Sequence, residues 1–105
     1  SSGALAEAET AAVESRAQAA RVRLAAAVRE SWWNWQRAGV DVEIARGQLD
    51  NARKLAADVS RRARSGELAR ADQHQADGAV AAAEAGLAQA EAAATAALQQ
   101  VKALS

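Results

Sequence analysis

The chain of 105 residues contains no cysteine, proline, methionine, phenylalanine or tyrosine. Lack of cysteine removes disulfides and thiol catalysis and is compatible with any compartment. Lack of proline leaves nothing that must break a helix. There is one histidine, His74, so a histidine-rich metal site or a serine hydrolase constellation has almost nothing to build from. Neither charge sign dominates, with 13 Lys+Arg against 13 Asp+Glu. No global field therefore draws the chain to nucleic acid, and no basic run interleaved with aromatics is present. Long hydrophobic runs are also missing. The most apolar stretch, residues 79–98, is mostly alanine and carries Glu84 and Glu91, which are costly at a bilayer centre. The chain has no initiating methionine and no signal-peptide pattern, and Ser1-Ser2-Gly3 reads as a cloning remnant. Residues 4–105 are accordingly expected to be one helical unit excised from a larger protein.

What is present is alanine, roughly a third of the residues, with Glu, Gln, Leu and Arg, the usage of long helices and coiled coils. Apolar residues recur in alternating steps of four and three. Leu24, Val28, Ser31, Trp35, Ala38, Val42, Ala45, Leu49, Ala52, Ala56, Val59 and Ala63 form one seam, with Ser31 its only polar member. Ala76, Val80, Ala83, Leu87, Ala90, Ala94, Ala97, Val101 and Leu104 form a second. Strand alternation is absent. The reading is an all-α antiparallel two-helix coiled-coil hairpin, with helices over about 5–64 and 70–104.

Between them lies Ser65-Gly66, a glycine where a helix end needs a left-handed residue. Arg61, Arg62 and Arg64 complement the dipole at the end of the first helix, and Glu67 and Asp72 that at the start of the second. Asp50–Lys54 and Asp58–Arg62 are spaced for ion pairing one turn apart. Folding about Gly66 sets Leu104 beside about Val28 and Trp35 beside about Ala97, and leaves residues 4–27 without a partner arm. Trp33, Val40, Ile44, Gly47, Asn51 and Leu55 make a further stripe opposite the seam. A helix apolar on two faces is expected between two neighbours, as in a layer or ring of helices.

Among side chains with possible chemistry, the tryptophans read as core filling, a large ring set against small alanines. His74 and Asp77 lie one turn apart but supply only two ligands, so no metal or cofactor is expected. Ser31, Ser60 and Ser65 have no base beside them, and no enzyme is expected.

The stretch from Arg21 to Leu104 resembles one helical hairpin of the TolC-like outer membrane efflux proteins. The family's V-x-x-A-Y/W-W cluster is echoed by Val28-Arg29-Glu30-Ser31-Trp32-Trp33, and its arginine-flanked glycine and x-A-D step by Gly66-Glu67-Leu68-Ala69-Arg70-Ala71-Asp72. The segment LAADVSRRARSGELARAD is most similar to members that serve heavy-metal efflux pumps. His74 departs from the family, which carries a leucine there. The resemblance implies a homotrimeric channel with a β-barrel in the outer membrane and a helical tunnel through the periplasm, of which this chain would supply one periplasmic hairpin. It implies a tip that docks a periplasmic adaptor protein of a tripartite pump, through Arg64, Ser65, Gly66, Glu67, Leu68, Arg70 and Asp72. In that tip Gly66 would reverse the chain, Leu68 would make the apolar contact, Arg64 and Arg70 the polar ones, and Asp72 would begin the returning helix. Two other readings stay open: the coiled-coil hairpin of the adaptor itself, which usually places a serine where this chain has Ala69 or Arg70, and an unrelated or designed structural coiled coil.

Overall fold

A computed structural model describes residues 2–105. The chain forms two helices, α1 (Ser2–Arg64) and α2 (Arg70–Leu104), packed against each other along α2. At about 1.5 Å per residue the 63 residues of α1 account for the 95 Å length of the molecule. Helix α1 starts three residues ahead of the expected Leu5, and the other three helix bounds fall where the periodicity put them. Ser1 lies outside the described residues, whereas Ser2 and Gly3 already belong to α1.

The buried residues are seam residues. Ser31, Ala38, Val42, Ala45, Leu49 and Ala56 of α1 face Ala76 and Val101 of α2, and every other seam position between Val28 and Leu104 is half-buried. The antiparallel register is read from the crevices along the interface. Ala27 and Ser31 share one with Gln100 and Leu104, and Leu55 and Val59 share another with Asp72, Ala76 and Ala79. Both fit a reversal about Gly66. Burial is thin: among the described residues no side chain is fully sealed, because two helices can cover only one face of each other. The exposed surface is 7664 Å², against about 5,600 Å² for a compact globule of this mass.

Ser31 is the polar member of the seam and among the most enclosed residues, 2 % exposed. Its hydroxyl donates to the Val28 carbonyl at 2.7 Å, which satisfies it without help from α2. The tryptophan cluster departs from the core-filling expectation. Only Trp35 sits on the seam, half-buried; Trp32 is exposed and lies edge-on against Trp35 with ring centroids 5.3 Å apart, and Trp33 points outward at 68 % exposure. Three indoles within four residues cannot all reach a stripe that takes one residue in three or four. On the exposed faces Asp50 pairs with Lys54 at 3.0 Å and Asp58 with Arg62 at 3.1 Å, as the spacing requires, and Asp58 also receives Arg61 at 3.3 Å.

Candidate interface at the hairpin tip

The two arms are joined by five residues, 65–69, whose backbone amides all donate hydrogen bonds. Gly66 adopts a φ of +81°, the only positive φ among the described residues. This left-handed residue lets the Glu67 amide donate to the Arg62 carbonyl at 2.9 Å and the Gly66 amide to the Ala63 carbonyl at 3.2 Å. The pair of bonds closes the end of α1 as a Schellman motif. The Ser65 hydroxyl donates to the Arg62 carbonyl at 3.0 Å. Helix α2 then starts without a polar N-cap side chain, because Ala69 occupies that position. Asp72 compensates: its carboxylate accepts the Ala69 amide at 3.0 Å, half of a capping box, while its own amide donates to the Ala69 carbonyl. Asp72→Ala is expected to cost about 1 kcal/mol and to speed amide exchange in the first turn of α2, measured by hydrogen exchange followed by NMR.

The seven tip residues therefore divide by what already holds them. Ser65, Gly66 and Asp72 are engaged in making the turn. Leu68, expected as a free apolar contact, is half-buried and folds toward a crevice with Leu55, Val59 and Ala76. Arg64 and Arg70 are exposed, and they line a crevice on the tip with Ser60, Ala63 and Gln73. Neither makes an ion pair among the described residues, unlike Arg61 and Arg62. Glu67 is also exposed. The tip thus carries one apolar crevice and one polar crevice with two unpaired guanidinium groups, which can serve bidentate hydrogen bonds to a carboxylate or to backbone carbonyls. The apolar crevice gave no separate signal in the sequence, because Leu55 belongs to the outer stripe and Val59 to the seam; the fold brings them to one edge.

His74 is exposed, and Asp77 accepts a hydrogen bond from the Gln73 amide at 3.0 Å. Among the described residues no three His, Cys, Asp or Glu side chains gather as a metal site would need, and no helix is long and apolar enough to cross a membrane.

The architecture defines the class: an extended antiparallel coiled-coil hairpin with a structured tip. No protein-family model, curated protein or solved structure matches this chain.

Proposed function

We propose that the chain is a periplasmic helical hairpin from the tunnel wall of a TolC-like outer membrane efflux channel, and that its tip docks the adaptor protein of a tripartite pump. One observation carries the reading. Helix α1 is apolar on the face opposite its seam, where Trp33, Val40, Ile44 and Leu55 are 54–68 % exposed along about six turns. A self-sufficient hairpin has no use for this stripe, whereas a wall of helices buries it against the next hairpin. The motif around Trp32-Trp33 and the step from Gly66 to Asp72 support the same family, and the export of metal ions or drugs follows from it.

Docking at the tip would be a small, polar, end-to-end contact, since the free groups are Arg64, Glu67, Arg70 and the open side of the Leu68 crevice. The test uses Leu68→Ser and Arg70→Glu in the channel that contains this hairpin. Each is expected to weaken adaptor capture roughly tenfold or more, about 1.4 kcal/mol, with trimer assembly unchanged and export lost. Adaptor binding and export at the original level in both variants would make the segment a plain turn.

A further inference from the structure

Residues 2–26 of α1 run beyond the reach of α2, and all of them are exposed, including Leu5, Val13, Val22 and Leu24 at 54–62 %. Their pattern is not that of a solvated tail. Ala6, Thr10, Val13, Ala17, Ala20 and Leu24 follow steps of four and three, and a second step of four, from Leu24 to Val28, sets this line to one side of the hairpin seam, whose own row continues through Arg21, Glu14 and Glu7. Every charged residue of the segment flanks that line. Glu7, Glu14 and Arg21 follow one heptad row on one side, and Glu9, Arg16 and Arg23 follow a second row on the other. These are the positions that choose a partner and its orientation in a coiled coil.

We infer that the segment is a pairing surface for a second copy of this chain, joined antiparallel with its dyad at Ser15. The sign order along the rows selects this arrangement. In an antiparallel pair each flank meets the same flank of the other copy in reverse. Glu7 then faces Arg21 and Glu9 faces Arg23, each twice by symmetry, while Glu14 and Arg16 meet their own copies near the dyad. Four attractive contacts oppose two repulsive ones. A parallel pair in register would instead set Glu9 against Glu14 and Arg16 against Arg21, each twice, with no attraction at all. At the antiparallel register Leu24 packs on Ala6, and Val13 on Ala17. Residue 2 of one copy comes level with Val28 of the other, in the region where Leu104 shares a crevice with Ala27 and Ser31. The arm of the second copy therefore reaches the level where α2 ends, and lies to one side of it because the two lines are offset around α1. This inference concerns the chain itself and does not rest on the channel reading.

The experiment is a charge swap read by sedimentation equilibrium and small-angle X-ray scattering on the 105-residue chain. The original chain is expected to dimerise, with its longest dimension rising from 95 Å to roughly 150 Å. Glu7→Arg with Glu9→Arg makes all four outer contacts repulsive, as does Arg21→Glu with Arg23→Glu. Each double variant alone is expected to bind itself at least about tenfold more weakly. Mixed in equal amounts, the two variants restore every attraction, and the dimer returns as a heterodimer. Orientation is read separately, since the chain has no cysteine of its own: Ala6→Cys and Leu24→Cys chains, mixed and oxidised, should cross-link to each other. The inference is overturned if the original chain stays monomeric at about 1 mM. It is overturned too if the reversed chains dimerise as well as the original, which would move association to another face, or if the cysteines link only like to like.

Discussion

Leu49→Ala is expected to lower the unfolding free energy by about 2–3 kcal/mol, whereas Leu55→Ala, six residues on, should lower it by less than about 1 kcal/mol. The two leucines have the same chemistry and sit on the same helix. Leu49 is on the seam at 6 % exposure, and Leu55 is on the outer stripe at 58 %. Removing three carbons from the first leaves a gap that alanines on the facing arm are too short to close; removing them from the second takes away only a half-exposed wall of the Leu68 crevice. Urea unfolding at low chain concentration, followed by circular dichroism, separates the two. Equal losses would mean that the outer stripe is covered even in the isolated hairpin. Because so little apolar surface is sealed in this molecule, the seam loss would be a large fraction of its total stability.

The second expectation turns on sign. Gly66 and Gly78 both have open space where a side chain would go, so neither is kept by crowding. They differ in backbone. Gly66 lies at φ +81°, where an L-residue is strained, and Gly78 is inside α2. Gly66→Ala should therefore destabilise by about 1 kcal/mol and Gly66→Val by about 2–3 kcal/mol, the β-branched residue fitting worst. Gly78→Ala should stabilise by up to about 1 kcal/mol, through the helix propensity it gains. Thermal melts of the three variants check this. A harmless valine at 66 would show that the two Schellman bonds do not depend on the left-handed residue. Failure there need not leave the chain disordered. With the reversal disfavoured, α1 can run on into α2 as one long helix, and two such chains can pair their seams between molecules.

The fold was readable because a coiled coil repeats its instruction. Val28 to Ala63 restates the seam in every heptad, so an accidental residue such as Ser31 does not disturb it, and Gly66 punctuates a chain with no other strong break. Details that depend on a single contact were not readable. Ala69 offers no capping oxygen, and nothing in the sequence said that Asp72 would reach back from within the helix to hold its amide. Leu68 looked free because its burial comes from Leu55 and Val59, residues assigned to two different stripes. The candidate interface is legible only as a concentration of arginines and turn residues. A contact made by one end of a rod has no period, and Arg64 and Arg70 have the same composition whether a partner or water faces them.

The reach of the pairing along the rod gives the hairpin a direction. Contacts next to the Gly66 turn join residues close in sequence, whereas Val28 and Leu104 are brought together only after the whole length of both arms has been laid down. Closing a short loop costs less chain entropy than closing a long one, so assembly is cheapest at the turn and proceeds outward, each layer shortening the loop left for the next. The molecule behaves as a one-way zipper with its clasp at the tip. Its loose end is the stretch carrying Trp32, Trp35 and Val101, where thermal motion opens the arms first while the turn stays shut. Whatever meets the tip meets the most persistent part of the structure, and whatever meets the far end can pry the arms apart.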